Sequence, residues 1–125
     1  MHWIEGLQKR TRSFALAVVR FSMALPRTPE MSVFRYQLVK SGTSVGANYR
    51  ATCRGRSPAE KIAKCGVAIE ESDETAYWLE MLTDLNLGDS RERTRLLKEA
   101  DELTAILYSC RRGLKESEQR SKNKP

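Results

Sequence analysis

The chain has one histidine, His2, and its three cysteines, Cys53, Cys65 and Cys110, stand far apart in 125 residues. No C-x-x-C pair is present, so a zinc site with the usual ligand spacings is not expected. The odd cysteine count reads instead as reduced, partly buried thiols of a cytoplasmic protein. No histidine follows any glutamate, so Glu70, Glu71, Asp73 and Glu74 cannot supply the Glu-x-x-His pairs of a di-iron bundle. His2 alone builds no nucleophile–base arrangement, and an Arg–His ribonuclease pair fails for the same reason. A phosphate-cradling G-x-x-x-x-G-K motif is also missing. These gaps predict a protein with no metal, no cofactor and no catalytic residues, and therefore not an enzyme. Charges at Lys9, Arg10 and Arg12 interrupt the N-terminal segment, and no apolar run approaches bilayer length. No membrane association is expected. Neither a strand-like alternation nor an internal repeat is evident.

What is present is helical periodicity. Ile4, Leu7, Thr11, Phe14, Val18, Phe21 and Leu25 recur at spacings of three and four, predicting a first helix from about Trp3 to Leu25, ended by Pro26. A second helix starts with Thr28 as cap and Pro29 in its first turn and runs to about Arg54. Its face is Phe34, Leu38, Ser41, Val45, Tyr49 and Thr52. Gly42 and Gly46 lie in this helix, and each interior glycine costs about 0.8–1 kcal/mol relative to alanine. A close approach by another helix is the simplest compensation; the alternative is a kink or break near Ser41-Gly42-Thr43-Ser44. The third helix has the clearest start: Ser57 as N-cap, Pro58 at N1 and Glu60 at N3 as a capping box. Its inward set reads Ala59, Ile62, Ala63, Gly66, Ile69, Ala76, Leu79, Leu82 and Leu85, with Gly88 as the stop. Leu96, Ala100, Leu103, Leu107, Cys110 and Leu114 mark a fourth helix. The predicted fold is all-α, an antiparallel up-down-up-down four-helix bundle over residues 1–116. Residues 117–125 read as a basic, disordered tail.

Charge adds a direction. The formal net charge is +6. In such a bundle both termini share an end with the turn around Gly55-Arg56-Ser57-Pro58. That end gathers Lys9, Arg10, Arg12, Arg50, Arg54, Arg56, Lys61, Lys64, Arg111, Arg112 and Lys115, against few acids such as Glu5, Glu60, Glu116 and Glu118. The second and third helices form a hairpin whose register places Lys40 near Asp73, Arg35 near Tyr77, and Asn48 near Lys64 and Cys65. Arginine's planar fork and lysine's mobile charge both suit phosphate. No zinc finger, helix-turn-helix or RNP pattern supports sequence-specific readout.

The hairpin also resembles a known family. Gln37-Leu38, Ser41, Ser44-Val45-Gly46-Ala47-Asn48-Tyr49, Arg54, Arg56-Ser57, and then Glu60, Lys64, Glu70, Glu71, Glu74, Tyr77, Trp78 and Leu79 are similar to the bacterial four-helix bundles of the S23, or 23S rRNA intervening-sequence, family. Tyr49-Arg50-Ala51-Thr52 places the chain with the G-A-N-Y branch. Thr52, Cys53, Gly55 and Ile62 are local departures. The resemblance implies a single bundle, with ring-like pentamers among relatives. It also implies genes lying in intervening sequences of large-subunit rRNA genes. A related bundle is a nucleic-acid-binding accessory of a retroelement reverse transcriptase. No catalytic residues carry over.

Two functional expectations follow. The first is a non-enzymatic accessory protein binding RNA or DNA through Arg50, Arg54, Arg56, Lys61, Lys64, Arg111 and Arg112, mostly by backbone contacts. The second is a structural or protein-interaction module whose charge is incidental. Tyr77, Trp78 and Met81, with Gly42 and Gly46 allowing close approach, are the expected interface of a homo-oligomer, a pentamer by resemblance.

Overall fold

The computed structural model describes the chain from His2 to Lys124 and its side chains from Trp3 onward. The side chain of His2 thus lies outside the described residues. Four helices make up the described residues: α1 (His2–Met23), α2 (Pro29–Cys53), α3 (Pro58–Leu85) and α4 (Ser90–Lys122).

Each boundary has a local cause. α1 ends two residues before the expected Leu25, because Pro26 disfavours helical geometry there and the last turn tightens onto the Phe21 and Ser22 carbonyls. Thr28 and Ser57 cap α2 and α3 by accepting from the backbone N–H groups of Met31 and Glu60. The Glu60 carboxylate turns to Arg56, 3.7 Å away, rather than back to Ser57. α3 stops at Asn86, which takes the left-handed conformation expected of Gly88 (φ 55°); Gly88, with φ 81°, follows in the same turn.

The tail expected to be disordered from residue 117 instead continues α4 to Lys122. Its Glu, Gln, Lys and Arg residues are good helix formers, and Glu118 pairs with Lys122 one turn on, at 3.2 Å.

Paired contacts set the directions of the helices. Gly42 lies on Val18 and Gly46 on Thr11, so α1 and α2 run antiparallel. Phe34 meets Trp78 edge-to-face at 5.4 Å, and the Thr75 hydroxyl donates to Ser41 at 2.9 Å, fixing α2 against α3. Ser72 donates to the Ala100 carbonyl and Cys65 to that of Leu107, fixing α3 against α4. α1 touches α4 more lightly and closes the square. The expected hairpin register holds to within about a turn.

The core follows the expected stripes in α1, α2 and α4. In α3 the buried set is Cys65, Ala68, Ile69, Ser72, Thr75, Ala76, Leu79 and Leu82, whereas Ala59, Ala63 and Leu85 are exposed. Small residues occur on several faces of α3, so apolar spacing alone does not select the inward one. The buried hydroxyls are acceptable because each is bonded: Thr75 shares its single O–H between Ser41 and the Glu71 carbonyl, and Ser72 lies 2.7 Å from Thr104.

Candidate nucleic-acid interface

The antiparallel directions bring the start of α1, the α2–α3 turn and the end of α4 to one end of the bundle. The seven predicted contacts divide into three groups there. Arg50, on the last turn of α2, and Arg54, its C-cap, are exposed. They face Lys9 and Arg12 of α1 across a groove of about 640 Å³, with Ala15, Thr43, Gly46 and Ala47 among its lining. Gly46 explains why these cations meet. A Cβ there would lie 3.1 Å from the Thr11 hydroxyl, so only glycine lets α1 and α2 come this close without a shift. Glu5 is the groove's one acid, and Lys9, Arg12, Arg50 and Arg54 enter no ion pair among the described residues.

Arg56 and Lys64 are exposed near the α2–α3 turn, Arg56 loosely paired with Glu60. Lys61 is half-buried, its stem laid over Gly55. Arg111 is not free. It lies flat on Gly66 and its Nε donates to the Ile62 carbonyl at 3.4 Å, tying α4 to α3. Arg112 is exposed and reaches Ser109 of its own helix.

Arg10, counted with the basic end from sequence, is neutralised. It donates two bonds to Glu99, at 2.6 and 2.8 Å, and one to Glu102 at 2.9 Å. The Glu99 carboxylate above all, and Glu102 as well, hold it firmly protonated against the opposing effect of burial. Charge counting missed these acids because they lie 89 and 92 residues away in sequence.

The glycines expected at an oligomer interface are used within the chain. A Cβ on Gly42 would lie 2.7 Å from Val18, which is wholly buried. Gly42 is itself buried, so the close approach belongs to α1 and not to another copy. Trp78 and Met81 are half-buried, and Tyr77 is exposed. Tyr77 packs edge-to-face on Trp78 at 5.3 Å.

A second concavity, about 580 Å³, opens at the same end of the bundle, and no sequence motif marks it. Trp3 and Ile4 of α1, Tyr49 and Cys53 of α2, and Cys110 and Leu114 of α4 supply most of its apolar wall. Burial pushes up two thiols at this end: Cys65 to about 11, with Cys110 adding to the effect, and Cys110 with help from Cys53. Those two thiols stay protonated at neutral pH and are poor nucleophiles. Tyr49 is raised as well, by burial first and by Cys53 second. Among the described residues, no group of three or more His, Cys, Asp or Glu comes together to hold a metal ion, and no helix is long and apolar enough to cross a membrane.

The profile of the 23S rRNA-intervening sequence protein family matches residues 6–109. The chain belongs to this family. No curated protein matches it. Among solved structures, four chains match. One is the crystal structure of a protein with unknown function from the S23 ribosomal protein family of Bacteroides thetaiotaomicron. It is 27% identical, with a TM-score of 0.78, and the alignment covers 87% of this chain and 97% of that one. The family match takes in the whole α1–α2 groove apart from Glu5, and it ends before Arg111, Arg112 and the overhanging last turns of α4.

Proposed function

We propose that this member of the 23S rRNA-intervening sequence protein family is a non-enzymatic accessory protein that binds nucleic acid backbones through its basic end. One observation carries the reading: Lys9, Arg12, Arg50 and Arg54 converge on one groove with a single acid and no ion-pair partner among the described residues. Unpartnered cations from two rigid helices are suited to successive phosphates. Arg56, Lys64 and Arg112 extend the surface around the turn, while Arg111 contributes mainly to packing.

The test is titration of a structured RNA and a duplex DNA at two salt concentrations. The double substitution Arg50→Ala/Arg54→Ala removes two phosphate contacts and lowers the duplex salt slope by about 1.8. Its effect on stability stays within about 0.5 kcal/mol. Absence of binding at low salt overturns the reading and favours the competing one, a structural or protein-interaction module.

Self-association, into a ring of five as the resemblance implies, is part of the same proposal. It is supported by Tyr77, which is 53% exposed, and by a shallow cleft that Tyr77 shares with Met81 and Leu97. A closed ring would gather several basic ends and strengthen weak phosphate contacts by avidity. Sedimentation at micromolar concentration checks this; a monomer across the concentration range removes the ring. A cytoplasmic location is proposed too, supported by the three free cysteines.

A further inference from the structure

The 580 Å³ cleft at the open end of the bundle has the size of a small-molecule pocket. Its walls are mostly apolar, with Trp3, Ile4 and Leu114 drawn from the two chain-terminal helices. Among the described residues, Lys61 is its only charged lining residue. This lysine is half-buried, its stem is held over Gly55, and it makes no ion pair among the described residues. The Thr52 hydroxyl already donates to the Asn48 carbonyl, which leaves Lys61 and the Ser109 hydroxyl as donors along the cleft, Lys61 being the cationic one. A lysine on the wall of an apolar cleft, with no ion-pair partner among the described residues, is suited to an anion, and the walls are suited to an apolar body.

We infer that this cleft is a binding site for a small amphipathic carboxylate, its apolar body against Trp3, Ile4 and Leu114 and its carboxylate on the Lys61 ammonium. The site is separate from the α1–α2 groove, so it stands whether or not the protein binds nucleic acid.

Gly113 provides a clean means of closing the cleft. It lines the opening, and a Cβ there would meet nothing within 4 Å, so the first atom of a larger side chain is admitted freely and Gly113→Phe is the variant chosen to fill the cleft. The experiment is calorimetric titration of the full chain with decanoate, below its micelle concentration, and with decanol as the uncharged counterpart. Wild type binds decanoate saturably with one site per chain, and more tightly than decanol. Lys61→Gln weakens decanoate about tenfold, a loss of the size expected for one charge-assisted contact, and leaves decanol unchanged. Lys61→Arg restores the preference, and Gly113→Phe abolishes binding of both ligands. Arg50→Ala/Arg54→Ala leaves decanoate binding unchanged, although it weakens nucleic-acid binding if that proposal holds. The inference is overturned if wild type shows no saturable binding, if Gly113→Phe binds as well as wild type, or if loss of Arg50 and Arg54 removes decanoate.

Discussion

The two ends of this bundle differ in their arginines: the turn end clamps Arg93 and Arg35 on backbone carbonyls, whereas the basic end, besides holding Arg10 and Arg111, leaves Arg50 and Arg54 without an ion pair among the described residues. At the α1–α2 and α3–α4 turns, arginines serve as clamps. Arg93 is buried and donates to the carbonyls of Leu87 and Gly88, at 2.6 and 3.4 Å, and Arg35 donates to that of Pro26. Phe21 and Leu25 close against Gly88 beneath them. At the other end, Arg50 and Arg54 face solvent across a groove, and a cleft remains open between the helix ends. An arginine's task is therefore set by the acceptors within reach. Where a turn exposes carbonyls near the core, the guanidinium satisfies them; where none is near, the charge stays available to a ligand.

Substitution of Gly88 attacks the closed end most directly. A Cβ there would lie 2.5 Å from the Phe21 ring, at a φ of 81° that side chains rarely adopt. Gly88→Ala is expected to lose about 3 kcal/mol in urea denaturation, from left-handed strain and overpacking together. Wild-type stability in this variant would show that the end is not closed. Arg93→Met should lose about 2 kcal/mol, because two turn carbonyls lose their charged donor, and Arg93→Lys should recover part of it. The matched change at the open end has the opposite sign. Gly113→Ala meets no atom within 4 Å and should stabilise by about 0.8 kcal/mol through helix propensity alone. Destabilisation there would mean that the open end is packed after all.

Glu71, midway between the ends, should give the smallest effect. Burial first, then Glu74, raises its pKa against the pull of Lys40, and one of its carboxylate oxygens is buried without a partner. The folded state then holds the proton more tightly than the unfolded state. Stability falls as pH rises from the ordinary carboxylate range through the raised value. Glu71→Gln should raise the thermal midpoint at neutral pH and give no gain below that window. Equal effects at both pH values would show that charge is not the cause.

Most of the architecture was legible because its signals are local. Ser57-Pro58 starts α3 and Thr28-Pro29 starts α2 whatever lies around them. The stripe from Leu7 to Leu25 needed only a helical period to be recognised. The reading of α3 was poorer, since Ala, Gly, Ser and Thr are tolerated on either face. The end of α4 is hard to read for a related reason: residues beyond Leu114 are nearly all exposed, so the helix continues on propensity and ion pairing with no apolar pattern to mark it. In the candidate interface, the concentration of cations at one end could be counted in advance, but not their availability. Arg10 is taken by Glu99 and Glu102, and Arg111 by Gly66 and Ile62.

The sequence by itself determined four helices, their order, their antiparallel directions and a basic end, because periodicity, caps and short turns act over a few residues. Tertiary structure alone decided which helix the glycines admit, which arginines remain unpartnered, and that the end of the bundle keeps a cleft. Each of these depends on distances between residues far apart in the chain. Gly42 and Val18 meet, as do Arg10 and Glu99, only after the hydrophobic stripes have packed and fixed the register between helices.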